Sequence, residues 1–156
     1  VQESIEGEEL NVAVVSDADR GFFAAVCMKK LVITGKGKGW TCVSIKNEAL
    51  IGIARTIATR IGWRGPMELE AVQARNGEIY VIEINPRFPA WIYLSKAAGL
   101  NLPSLYLHMM LGEPLPAEQE YRTGVVFSNF TTNIITDIAT IEGLFTAGEV
   151  DYEKTV

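Results

Sequence analysis

Short apolar runs open the chain before a helical period takes over in its middle. Leu10-Asn11-Val12-Ala13-Val14-Val15 and Phe22 to Lys30 flank Asp17-Ala18-Asp19-Arg20-Gly21, a polar stretch ending in glycine. Two such runs around such a bend predict a β-hairpin. Leu31-Val32-Ile33 continues extended up to Gly35-Lys36-Gly37-Lys38-Gly39, a flexible basic loop, and Trp40 to Ile45 predicts a third strand. The period then changes. Asn47 reads as an N-cap with Glu48 in the first turn, and Leu50, Ile51, Ile53, Ala54, Ile57, Ala58 and Ile61 recur at helical spacing until Gly62. Such a stripe predicts a core-facing helix. Met67 to Ala74 and Glu78 to Ile84 are again strand-like, joined by Arg75-Asn76-Gly77. Asn-Gly between two apolar runs is a strong short-range hairpin signal. A small-residue helix is predicted from Ile92 to Ala98, closed by Gly99, and Pro103 opens another that runs to about Leu111 and stops at Gly112. Pro114 and Pro116 mark an exposed connection, Thr123 to Thr132 has strand character, and Ile141 to Val150 fits no single period.

A chain of 156 residues can build one core, burying roughly 70% of its unfolded surface. The net charge of −5 argues against nonspecific binding of nucleic acid. No apolar run approaches the ~20 residues needed to span a bilayer, and the first residues carry no signal-peptide pattern. No membrane association and a cytoplasmic location are therefore expected. Cys27 and Cys42 fit no metal spacing and sit in apolar surroundings, which favours buried thiols. His108 is the sole histidine, so a histidine-based metal cluster has no second member; within Leu105 to Leu111 it is expected to cap or pack. A start on Val1 rather than Met suggests a piece of a longer protein.

Candidate chemistry gathers at Glu83-Ile84-Asn85-Pro86-Arg87. Period-two geometry puts Glu83 and Asn85 on one face, two oxygen donors side by side. Hard cations such as Mg²⁺ take carboxylate and carbonyl oxygens, and a guanidinium forks onto phosphate. Pro86 lacks the N–H that a ladder needs, so the strand stops and Arg87 enters a loop. The Asn76-Gly77 hairpin brings Glu68 and Glu70 alongside, and carboxylates gathered on one sheet face call for a cation. The alternative is that Glu68 points into solvent while Glu70 faces a Lys or Arg from another element.

Strand, Asn-Gly turn, then Glu-Ile-Asn-Pro-Arg resembles the metal-binding core of the ATP-grasp superfamily. It is most similar to the branch with carbamoyl phosphate synthetase large subunits and related carboxylate–amine ligases. The resemblance implies an α+β fold, the ATP-grasp C-terminal subdomain, with a mainly antiparallel sheet and packed helices. It implies ATP and Mg²⁺ (or Mn²⁺) as cofactors, with Glu70, Glu83 and Asn85 holding the metal and Arg87 contacting the transferring phosphate or acyl phosphate. Gln2 to Glu9 resembles the family's interdomain hinge, so Glu3, Ser4 and Ile5 would lie against adenine and Glu9 would take the ribose hydroxyls. Taken alone, that acidic run also suits a solvated surface. Lys29, Lys30, Lys36 and Lys38 occupy a stretch where the family often places basic groups near phosphates, although a lysine cluster is more often a solvated face. Gly35-Lys36-Gly37-Lys38-Gly39 is not a P-loop, because it lacks the spacing and the Ser/Thr after Lys.

The resemblance covers roughly residues 1–116, the ATP-grasp C-terminal portion, and leaves 117–156 as an extension packed on the same domain. The family's preceding domains, with their mobile glycine flap, are expected to lie before Val1. Phe88-Pro89-Ala90-Trp91 departs from the small residues that many relatives carry after the Arg, and suggests a bulky or apolar wall. The implied activity is ATP-dependent ligation of a carboxylate substrate to an amine acceptor through an acyl phosphate, with the chain inactive on its own. A homodimer is a further expectation. A truncated or degenerate module serving nucleotide binding or assembly is the competing reading, and no residue separates a ligase from an ATP-grasp kinase.

Overall fold

Long apolar strands with little polar relief must be covered on both faces, and the two longest such runs lie at the centre of the sheet. The structure, a computed structural model, describes residues 3–35, 37–116, 119–131 and 135–148. Strands β1 (Gly7–Asp17), β2 (Phe22–Ile33) and β3 (Gly39–Ile45) precede helix α1 (Glu48–Arg60). The hairpin β4 (Arg64–Ala74) and β5 (Ile79–Asn85) follows, then α2 (Tyr93–Ala98), α3 (Leu102–Met110), β6 (Val126–Ser128) and α4 (Ile138–Ala147). The six strands form one sheet in the order β5-β4-β1-β2-β3-β6, with antiparallel pairing throughout. This is an α+β architecture, an antiparallel sheet with packed helices.

Alternation along the strands assigns two cores. On one face, Leu10, Val12 and Val14 of β1 meet Met67 and Leu69 of β4 beneath Leu50, Ala54 and Ala58 of α1. Asn47 caps α1 by accepting the Leu50 N–H at 3.0 Å. Ile61, expected on the buried stripe, instead caps the helix C-terminus and is 59% exposed. The helix ends one residue earlier than the apolar pattern suggests, which turns Ile61 off the stripe. Leu50→Ala is expected to cost about 2–5 kcal/mol through cavity formation, read from a urea-denaturation midpoint. Asn47→Ala should cost about 1 kcal/mol by the same measurement.

The opposite face carries Ala13, Val15, Val26 and Met28 under Trp91, Leu94, Leu102 and Leu105, but α2 and α3 cover only part of it. Gly99 closes α2 at φ 106°, a left-handed conformation that favours glycine. His108 stands in the last turn of α3 and pairs with the Glu113 side chain, while Leu111 caps the helix. Tyr121 ties the later chain to the sheet. Its hydroxyl donates to the Ile45 carbonyl at 2.7 Å and accepts the Cys27 N–H at 3.1 Å. The strand character expected for Thr123 to Thr132 narrows to β6, which pairs with β3; Thr132 lies outside the described residues. The segment from Ile141, without an assignable period, forms the later turns of α4 up to Ala147.

Both cysteines are buried free thiols. Burial pushes the Cys27 thiol up to about 12, against a hydrogen bond with Tyr121 that lowers it. A thiolate-directed reagent at neutral pH should therefore modify Cys27 far more slowly in the folded protein than in urea, as counted by mass spectrometry. Among the described residues no helix is long and apolar enough to cross a membrane.

Candidate functional site

The uncovered part of that second sheet face is where the polar side chains collect. The β4–β5 register sets Glu68 opposite Asn85 and Glu70 opposite Glu83, with a register shift between Glu70 and Ala71. Residues two apart share a face, so all four side chains project to the same side. Asn11 and Glu9 of β1 and Lys30 of β2 lie on that side too. The face floors an open cavity of about 710 Å³, lined from the hairpin by Glu68, Glu70 and Glu83 and from the following loop by Arg87 to Trp91.

The carboxylates differ sharply in surroundings. Glu68 is 3% exposed and accepts from Asn11 Nδ2 and Trp91 Nε1, each at 2.8 Å. Arg87 Nη1 adds an ion-paired bond at 3.2 Å. The solvent-pointing alternative for Glu68 is therefore wrong: a tryptophan distant in sequence closes over it, and its oxygens are spent on the protein. Glu70 meets Lys30 Nζ at 3.3 Å and Asn85 Nδ2 at 3.3 Å, so the expectation that it would face a cation from another element holds. Glu83 is exposed, and among the described residues it has no hydrogen bond or ion pair.

Lys30 is the cation that holds the centre. Its ammonium bonds Glu9 at 2.7 Å, Glu70 at 3.3 Å and the Gly37 carbonyl at 3.1 Å. Burial alone would lower its pKa, but the Glu9 hydrogen bond and the Glu70 and Glu9 charges outweigh it and raise the group above its usual 10.5. The clamp's contribution to stability is thus full below that ordinary value and is lost only as pH rises through the raised one. Lys38 lines the same cavity, whereas Lys36 lies outside the described residues.

The hinge-like residues are not gathered at this cavity. Glu3, Ser4 and Ile5 sit in the irregular segment before β1, with Glu3 and Ser4 exposed. Glu9 does face the site, but its carboxylate bonds Lys30 rather than standing free for a ribose. Several side chains were missed by sequence reasoning, Met28 and Thr34 of the cavity lining among them. Asn11 had a signal, a polar residue inside an apolar run, and its buried Oδ1 has no hydrogen-bond partner among the described residues. Trp40, Phe127 and Asn129 also line the cavity, and nothing in their local spacing marks them.

The donor set suits a hard divalent cation. Glu70 and Glu83 offer carboxylate oxygens and Asn85 an amide carbonyl, all hard donors on one face. Four carboxylates, Glu9, Glu68, Glu70 and Glu83, share the face; Lys30 bonds Glu9 and Glu70, Arg87 bonds Glu68, and among the described residues Glu83 is left without a cation. The remaining negative charge is what a divalent ion would offset. Among the described residues no three His, Cys, Asp or Glu side chains form a ready-made metal centre, so the fit rests on two carboxylates and the amide.

Residues 1–133 match the family model described as ATP-grasp in the biosynthetic pathway with Ter operon. The chain is 28% identical over 134 residues to the carbamoyl phosphate synthase large chain of Clostridium perfringens (strain SM101 / Type A), covering 80% of this chain and 12% of the relative. It is 41% identical over 59 residues to the same protein of Gemmatimonas aurantiaca, covering 37% of this chain and 5% of the relative. In fold it resembles the biotin carboxylase–β-γ-ATP complex from Campylobacter jejuni, with a TM-score of 0.69 at 18% identity over 80% of this chain and 30% of that one. The ADP complex of N5-carboxyaminoimidazole ribonucleotide synthetase gives a TM-score of 0.66 at 19% identity, covering 94% of this chain and 38% of that one. The chain spans about an eighth of the length of the carbamoyl phosphate synthase relative, at 12%. With 133 residues inside the family pattern and the same fold beneath it, the chain belongs to the ATP-grasp family.

Proposed function

We propose that this chain forms the Mg-ATP-binding part of an ATP-dependent carboxylate–amine ligase that works through an acyl phosphate. The observation that carries this reading is Glu83, an exposed carboxylate without a protein partner among the described residues, set across the register from Glu70. A carboxylate held opposite another with nothing to neutralise it is a poor structural device and a good cation ligand. Glu70, Glu83 and Asn85 would hold Mg²⁺. The chemistry that a bound Mg²⁺ supplies is neutralisation of charge on the nucleotide phosphates.

The protein groups then divide the remaining work. Lys30 holds Glu70 in place through a short-range ion pair and keeps its own proton throughout the neutral range. Asn85 donates to Glu70 at 3.3 Å and to Glu68 at 3.5 Å, which fixes the amide plane. Arg87, anchored on Glu68, offers its remaining donors to the substrate carboxylate and to the acyl phosphate that it becomes. In the proposed reaction a carboxylate oxygen of the substrate attacks the γ-phosphorus and ADP leaves. An amine nitrogen then attacks the acyl carbon, and phosphate leaves with the electrons of its C–O bond. No side-chain nucleophile is required. In this reading the rest of the nucleotide cleft belongs to other parts of a longer ligase, since the chain covers 30% of the biotin carboxylase chain.

The test is isothermal titration of ADP into the full-length protein with Mg²⁺ and with EDTA. Binding that depends on Mg²⁺ supports the reading; binding unchanged by EDTA, or none at all, contradicts it.

A further inference from the structure

We propose that the same cavity holds an apolar substrate subsite between β3, β6 and the Phe88–Trp91 loop, and that it takes a carboxylate with a bulky apolar or aromatic body. The proposal rests on the ligase reading above and adds the substrate class to it. Sheet order separates the two halves of the cavity. The acidic hairpin β4–β5 stands at one edge and β3–β6 at the other, with β1 and β2 between them.

The far half is lined by rings. Phe127 of β6 sits opposite Cys42 of β3 in the ladder, and the Asn129 N–H donates to the Trp40 carbonyl at 2.9 Å. That pairing puts Trp40 and Phe127 on the cavity face of neighbouring strands. Met28 supplies the floor, and Phe88 and Trp91 come from the loop after Arg87. Phe88 and Phe127 pack on the core while staying partly open, and Trp40 is 37% exposed. Apolar surface left open inside a concave site is surface that an apolar ligand would remove from water.

The wall is also fixed in position. The Phe88 ring packs edge-on against Tyr106 at 5.8 Å, and the Trp91 indole is held by Glu68 at 2.8 Å. A rigid wall loses little freedom on binding. Beside it stands an anion anchor. Arg87 engages Glu68 and the Phe88 carbonyl through Nη1, and among the described residues its Nε and Nη2 have no partner. Those two donors form one edge of the guanidinium, the edge that forks onto a carboxylate. Glu68 bonds both Arg87 and Trp91, so it sets the spacing between head-group anchor and apolar wall. The substrate carboxylate would sit at Arg87 with its body against Trp40, Phe88 and Phe127.

The experiment titrates 3-phenylpropionate and acetate, one charge each, into the full-length protein with and without saturating Mg-ADP, read by tryptophan fluorescence and calorimetry. The expected result is phenylpropionate binding at least ~10-fold tighter than acetate, with Mg-ADP leaving its sites available. Trp40→Ala and Phe127→Ala should each shrink that preference several-fold, Phe127→Leu should retain most of it, and Tyr93→Ala, outside the cavity, should leave it intact. Circular dichroism checks that each variant is folded. Equal affinities for the two acids, no binding of phenylpropionate, or its displacement by ADP would overturn the proposal. The ligase reading fails by a different result, the absence of Mg-dependent ADP binding in the titration without acid.

Discussion

Glu68→Ala should cost about 3–5 kcal/mol of folding stability, because it strips a buried carboxylate from its ion and hydrogen-bond partners. Glu68 is 3% exposed, and its removal leaves Asn11 Nδ2 and Trp91 Nε1 without their acceptor and Arg87 Nη1 with the Phe88 carbonyl alone. Each orphaned buried donor carries a penalty of about 1–3 kcal/mol, and the cavity left behind adds to it. Urea denaturation of wild type and variant reads the difference directly. A loss below about 1 kcal/mol would mean that water replaces the carboxylate freely, which is incompatible with its burial. Glu68→Gln should fall between the two, since one amide oxygen can serve two donors while its NH₂ opposes the third.

Glu83→Gln should behave in the opposite way. Glu83 is exposed and makes no bond within the described protein, so stability should stay within about 0.5 kcal/mol of wild type. The affinity for Mg-ADP should nevertheless fall by at least ~10–100-fold, the range seen when even an outer partner of a metal ligand is lost. The two variants stand on one hairpin and one face, two strands' width apart at most, yet one reports on the fold and the other on the site. Wild-type affinity in Glu83→Gln would remove the basis for a cation between β4 and β5.

The contrast between these carboxylates was not legible in the sequence, and the reason is physical. Local period-two spacing and the Asn76-Gly77 turn suffice to pair Glu68, Glu70, Glu83 and Asn85 on one face. They say nothing about depth. Depth is set by Trp91, which comes from beyond the hairpin and covers Glu68 but not Glu83. The Lys30 clamp is of the same kind, joining β1, β2 and β4 through contacts at long separation. Ile61 shows the converse error, an apolar residue at the right spacing that the helix end turns outward. Phe127 and Asn129 reach the cavity because a three-residue strand adds to the sheet edge, and three residues are too few to show a period.

Glu70, Glu83 and Asn85 are proposed to hold the divalent ion of a bound nucleotide. The most direct test of that assignment is paramagnetic relaxation with Mn²⁺ in place of Mg²⁺, on isotope-labelled protein saturated with ADP. Backbone signals should broaden first around Glu70 and at Glu83 to Asn85, and Glu83→Gln should abolish the effect. Broadening centred on the acidic segment from Glu3 to Glu8, with the β4–β5 signals unaffected, would contradict the assignment.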